Sequence, residues 1–236
     1  MVTSTVRRFI ALVVVGGAAL ASAYAASVGG LASASILSFA QAGASGAPTV
    51  IGCDNFTGTT GATIDARAAT TATSCAGRTW AVEAGAWTIQ SAKAAPNATA
   101  DAVVTLNTAQ SSATVQTDLT AINANNRSGG VVLSHDGTST YLAAVAVNTT
   151  TDRVDLKVVK SGTATTVATA TASLAATTTT LRMTRSGTTV TVWVNGTSVL
   201  THTLSTANNS ALTGGRAGLI GGSSSVRFDD VLVTSP

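Results

Sequence analysis

The sequence predicts an all-β protein: an antiparallel two-sheet sandwich or barrel, preceded by an N-terminal signal or anchor helix. Three observations predict it. From residue 50 onward valine, isoleucine, leucine and threonine alternate with a two-residue period, the signature of half-buried strands. Asp-Gly, Ser-Gly and Asn-Gly pairs interrupt these runs, and such pairs supply the left-handed residues of tight hairpins. Hydrophobic residues make up 45% of the 236-residue chain but charged residues only 10%, too few for a coiled coil or a disordered polyelectrolyte.

Residues 1–26 read as a targeting segment. Arg7 and Arg8 precede the apolar run 9–15, and no charge follows until Asp54. Ala21-Ser22-Ala23 and Ala23-Tyr24-Ala25 offer small-residue cleavage sites, completing the pattern of a signal peptide. A retained anchor is the alternative, because the uncharged stretch exceeds the roughly 20 residues that cross a bilayer. Gly29, Gly30, several serines and Gln41 dilute its later part, which favours cleavage. Residues 27–49 form a small-residue spacer, and residues 50–236 form one domain, long enough to bury a core. The expected location is secreted or cell-surface, with membrane contact only if the N-terminal segment is retained.

Export gives the two cysteines, Cys53 and Cys75, a meaning. An even pair in an oxidising compartment reads as a disulfide, closing a loop of about 20 residues and contributing on the order of 3 kcal/mol. Two separate buried thiols are the alternative. The histidines, His135 and His202, have no metal spacing to the cysteines or to each other, so zinc is not expected.

The strands follow in order. Residues 103–106, 115–122, 131–134, 141–147 and 154–159 show the two-residue period, as do 181–184, 190–194, 199–204, 218–220 and 226–233. Turns are expected at His135-Asp136-Gly137-Thr138, Lys160-Ser161-Gly162-Thr163, Arg185-Ser186-Gly187-Thr188 and Val194-Asn195-Gly196-Thr197. In the run 189–194 the pattern sends Val190, Val192 and Val194 to one face and Trp193 with the threonines to the other. No amphipathic helix is expected after residue 50. Setting Arg7 and Arg8 aside, the 13 basic residues fall to 11 against 10 acidic ones, a net charge of +1, which leaves no electrostatic footprint for nucleic acid.

The succession Asp54-Asn55-Phe56, Thr79-Trp80, Gly85-Ala86-Trp87-Thr88-Ile89 and Gly129-Gly130-Val131-Val132-Leu133-Ser134 carries a resemblance. So do Tyr141-Leu142-Ala143, Val154-Asp155-Leu156-Lys157-Val158, Leu181-Arg182-Met183-Thr184 and Val192-Trp193-Val194-Asn195-Gly196. Gly215-Arg216-Ala217-Gly218-Leu219 and Val226-Arg227-Phe228-Asp229-Asp230-Val231 complete it. In this order the motifs resemble the concanavalin A-like lectin/glucanase superfamily, in the laminin-G-like jelly-roll modules of exported bacterial proteins. The resemblance implies a jelly-roll β-sandwich with first and last strands adjacent, Phe56 and Phe228 in the core, and Trp80 and Trp87 buried. The superfamily holds carbohydrate-binding modules, adhesion domains and glycoside hydrolases, so function must come from the site.

A glycoside hydrolase needs two carboxylates flanking the scissile bond, and the jelly-roll glucanases resembled carry theirs as Glu-x-Asp-x-Glu. This chain has one glutamate, Glu83, and no acidic pair at i and i+2; Asp152 and Asp155 are three apart, and Asp229 and Asp230 face oppositely in a regular strand. A non-catalytic binding module is therefore expected, with a polysaccharide or cell-surface component as partner. The alternative is a structural or adhesive protein that displays threonine hydroxyls, as in 177–180, 189 and 191. The residues point to no cofactor beyond a candidate cation. Calcium is the candidate cation, with Asp54, Asp229 and Asp230 as ligands; aspartates that bond nearby backbone N–H groups are the competing reading. For sugar, Trp193 is the candidate stacking platform, joined by Tyr141, His135 beside its turn and Arg127 in the Asn-Asn-Arg-Ser loop.

Overall fold

The computed structural model describes residues 47–69, 77–97, 101–123 and 126–236; the targeting segment, nearly all of the spacer, and Cys75 lie outside them. The first strands are β1 (Val50–Asp54), β2 (Trp80–Ala84), β3 (Trp87–Ile89), β4 (Ala94–Pro96) and β5 (Ala102–Asn107). The middle of the chain gives β6 (Thr114–Thr120), β7 (Arg127–His135), β8 (Tyr141–Asn148), β9 (Arg153–Lys160) and β10 (Thr163–Thr171). Then come β11 (Thr178–Ser186), β12 (Thr189–Val194), β13 (Thr197–Thr203), the helix α1 (Thr206–Ala211), β14 (Arg216–Gly221) and β15 (Arg227–Thr234).

Among the described residues these strands form two antiparallel sheets, one of eight and one of seven. The larger runs β13-β12-β11-β6-β15-β4-β3, with β1 also paired to β15, and the smaller runs β10-β9-β8-β7-β14-β5-β2. First and last strands are thus neighbours, with Asp54 opposite Val231 and Cys53 opposite Leu232. The core lies between the sheets, because each strand turns alternate residues inward. Val190, Val192 and Val194 are buried as the pattern requires, and so are Trp80, Trp87, Phe56 and Phe228. The rings pair off across this core: Phe56 on Trp80 and Trp87 on Phe228, each at 5.3 Å between centroids. Close strand approach also depends on glycine. A Cβ on Gly130 would lie 2.0 Å from the carbonyl oxygen of Ala144 on the neighbouring strand.

Two of the expected turns are tight left-handed pairs, Ser161-Gly162 (φ 47° and 81°) and Asn195-Gly196 (φ 50° and 80°). The third shifts by one residue: Ser186 pairs with Thr189, so Gly187-Thr188 is the loop. The fourth is longer than a two-residue hairpin. One oxygen of Asp136 collects the N–H groups of Thr138, Ser139 and Thr140 and the Thr138 hydroxyl, holding residues 136–140 as a single loop. Strand β10 was not expected, because its Thr/Ala alternation lacks hydrophobic contrast and it lies exposed at the sheet edge. Helix α1 was also not expected. It buries no residue, so no apolar stripe announces it, and it starts where the Ser205 hydroxyl accepts from Asn208 N–H at 3.2 Å.

Two buried charged groups tie these elements together. Asp54 accepts from the indole N–H of Trp80 at 2.7 Å and from Phe56 N–H at 2.8 Å, with the Arg67 guanidinium at 3.4 Å. Arg185, only 3% exposed, donates to the carbonyls of Gly187, Ser111 and Leu212, to the Ser134 hydroxyl and to the Asn209 side-chain oxygen. It thereby links β11 of one sheet to β7 of the other and to α1. Burial lowers its pKa, yet a guanidinium keeps its charge in any protein environment. Removing it strands several buried acceptors at once. Arg185→Met is expected to destabilise the domain by about 3–5 kcal/mol, read as a lower urea midpoint with an unchanged slope; a loss under about 1 kcal/mol would refute the role.

Candidate functional site

The outer face of the eight-stranded sheet is built by the residues that the core rejects. Leu181 and Met183 point inward on β11, as do Val192 and Val194 on β12, so Arg182 and Trp193 point outward. Hairpin register sets them directly opposite one another, and Arg182 is in turn opposite Gln116, which is opposite Leu232. One row across the sheet therefore reads Trp193, Arg182, Gln116, Leu232. The next row is hydroxylated: Thr201, Thr191, Thr184, Thr114 and Thr234 lie on successive strands, with 2.8 Å between the Thr114 and Thr184 oxygens.

The first row, with Thr184, Thr114 and Thr234 of the second, lines a groove of about 550 Å³ together with Pro48, Val50, Ser235 and Pro236. Trp193 is partly exposed in it, as the alternation predicts. The Arg182 guanidinium carbon lies 4.1 Å from its ring centroid, within cation–π range. Among the described residues Arg182 has no carboxylate within ion-pair distance, and its buried Nε has no hydrogen-bond acceptor. The turn expected at Ser186-Gly187 would have set position 182 across from Thr191; the observed one-residue shift sets it across from Trp193.

Tyr141 and His135 lie on the other sheet. They stack at 5.1 Å and 17°, where Tyr141 borders a second apolar cluster of Val103, Val132, Ala143, Val145 and Ile220. Strand β8 is interior, flanked by β7 and β9, so Tyr141 starts an inner strand of the smaller sheet. Nearby, Glu83 accepts from Arg216 and from the Thr105 hydroxyl, both at 2.6 Å. Arg127, at the far end of β7, donates to the Ala121 carbonyl at 2.6 Å, about 26 Å from His135 by strand rise. The four candidate sugar contacts thus fall into three places: Trp193 on one sheet, the His135–Tyr141 pair on the other, and Arg127 at the opposite end of β7.

The candidate calcium ligands do not face one another. Asp54 is turned inward toward Trp80, whereas Asp229 meets Lys93 on the outside. Asp229 and Asp230 do not alternate as a regular strand would require. A bulge between Asp229 and Leu232, with Asp230 at φ 46°, breaks the period. Burial and the neighbouring Asp229 and Asp118 raise the Asp230 pKa, against the opposing pull of Lys93. Among the described residues no three His, Cys, Asp or Glu side chains gather to hold a metal ion. Other carboxylates are held by arginines: Glu83 by Arg216 and Asp155 by Arg153.

No family model matches the chain, and no curated protein matches it. Among solved structures it is similar to the carbohydrate-binding module CBM66 from Bacillus subtilis, with 16% identity and a TM-score of 0.57 over 66% of this chain and 95% of that one. It is also similar to the GH43 protein BlXynB of Bacillus licheniformis (14% identity, TM-score 0.49, 64% of this chain and 34% of that one). The galectin LEC-6 of Caenorhabditis elegans is a third (14%, 0.44, 59% and 92%). At such identity, the likeness to the CBM66 module is one of fold, a two-sheet β-sandwich.

The stacked pair on the smaller sheet gives the domain a pH dependence. His135 accepts from Gly137 N–H through Nδ1 at 2.9 Å, leaving its proton on Nε2. Burial lowers its pKa below the ordinary 6.5 and outweighs the opposing Glu83 and Asp136, while Arg216 lowers it further. The folded state therefore holds neutral imidazole where the unfolded chain takes up a proton, so stability falls as pH drops below about 6.5. Thermal unfolding between pH 7.5 and 5 is expected to fall more steeply for the wild type than for His135→Gln; parallel curves would exclude the effect.

Proposed function

We propose that this chain is an exported, non-catalytic carbohydrate-binding module whose ligand lies in the groove over Trp193. A partly exposed tryptophan on the floor of a 550 Å³ groove that also holds Leu232, three strands across, and a ladder of hydroxyls carries this reading. A pyranose ring offers an apolar face to an indole and hydroxyls to polar neighbours such as Gln116, Thr114 and Thr184. The shared sandwich fold with a carbohydrate-binding module supports the same reading. A binding role also suits carboxylates that are held by arginines rather than set as a facing pair. Tyr141, His135 and Arg127 are left outside this contact, and Asp54, Asp229 and Asp230 serve the fold without calcium. Residues 1–26 are proposed to direct export, and Cys53 to pair with Cys75 there.

Binding to the folded state must raise the melting temperature. A polysaccharide panel is expected to yield at least one such shift for the full chain, and Trp193→Ala to weaken that binding by roughly tenfold or more while unfolding at the wild-type temperature. A folded protein that shifts with no polysaccharide would favour the hydroxyl-displaying structural role instead. Intact mass after alkylation without reductant is expected to show neither cysteine modified, and reduction to cost about 3 kcal/mol of stability; two alkylated thiols would remove the disulfide.

A further inference from the structure

Arg182 is the single charged side chain among the residues that line the Trp193 groove. Its guanidinium is stacked at 4.1 Å on the Trp193 ring, so a rotamer-rich side chain is already held in place before any ligand arrives. Every other described arginine on the core-bridging or ion-paired positions has oxygen acceptors: Arg185 five, Arg216 the Glu83 carboxylate, Arg153 the Asp155 carboxylate, Arg67 the Asp54 carboxylate. Arg182 donates to no oxygen among the described residues, and its Nε is out of contact with solvent and unbonded. With Nε closed off, the unbonded Nη groups of this planar cation, beside an aromatic platform, are chemically matched to a planar anion.

Resting on the binding reading above, we propose that the groove selects an acidic saccharide, a uronic acid residue whose ring lies on Trp193 and whose carboxylate meets the Arg182 fork. Carboxylate is favoured over a sulfate ester because it lies in plane with the guanidinium and meets two donors at once. The surrounding Thr114, Thr184 and Gln116 are then left for the sugar hydroxyls.

The test uses the full chain and affinity electrophoresis against polygalacturonate, its methyl-esterified form and dextran sulfate. The expected result is at least about tenfold tighter binding to the free acid than to the ester, the scale of one charge-assisted pair, with the preference weakening as salt rises. Arg182→Gln is expected to abolish the preference and Arg182→Lys to retain only part of it, because lysine keeps the charge without the fork. Should Arg182→Gln unfold, the lysine variant and the salt series still decide the matter. Equal binding of acid and ester by the wild type overturns the acidic-sugar inference and leaves carbohydrate binding standing. Dextran sulfate binding as tightly as the free acid overturns the choice of carboxylate, and a wild type that binds neither acid nor ester overturns the acidic-sugar inference, whereas carbohydrate binding as such falls only if the whole polysaccharide panel gives no thermal shift.

Discussion

A cation sits inside this sandwich with no carboxylate beside it among the described residues, and the surrounding elements are arranged around that fact. Desolvating a guanidinium costs several kcal/mol unless its donors are all met, and Arg185, itself on β11, meets them with a hydroxyl from β7, an amide from α1 and carbonyls from the loops at Ser111, Gly187 and Leu212. The demand reaches into local backbone. Ser134 adopts φ 56° one residue before the end of β7, and the pairing of β7 with β14 shifts register beside it, so that its hydroxyl turns inward to the guanidinium. The same irregularity changes the phase of the strand end and leaves His135 stacked against Tyr141. One buried charge thus helps to fix the geometry on the far side of the smaller sheet.

The larger sheet builds its site by a different route. Nothing irregular is needed on β11, where strict alternation puts Leu181 and Met183 inward and leaves Arg182 and Thr184 outside. Turn position then aligns Arg182 with Trp193 on β12. Core packing and groove composition are therefore two faces of one pattern, since a one-residue slip would bury Arg182 and expose Leu181. The strands at the sheet centre carry the groove floor, and their pairing on both sides gives Trp193 and Arg182 a rigid support.

Where hydrophobic contrast was strong, the strand could be read directly: the valines at 190, 192 and 194 announce β12 and its inward face. Contrast failed in β10, whose alternating threonine and alanine lie exposed on the sheet edge, and in the short β3 and β4, which exist through their partners rather than through their own composition. Trp80 and Trp87 could be assigned to the core because their order along the chain resembled that of a known superfamily. The acidic residues were the least legible. Asp54 and Asp229 are near one another in strand pairing, yet one is held by Trp80 in the interior and the other by Lys93 outside, and sequence spacing contains no term for that.

The sequence by itself determined the all-β class, the hairpin succession, the outward placement of Trp193 and the scarcity of carboxylates, because alternation, turn chemistry and composition are local. Only the tertiary structure decided that Trp193 is joined by Arg182 and Gln116 rather than by Tyr141, His135 and Arg127, which the two sheets separate. It also decided that Arg185 lies inside and that the Asp230 bulge breaks the strand period. The physical reason is that a site forms from residues on different strands, and which strands become neighbours is settled by long-range pairing that no local run of residues encodes.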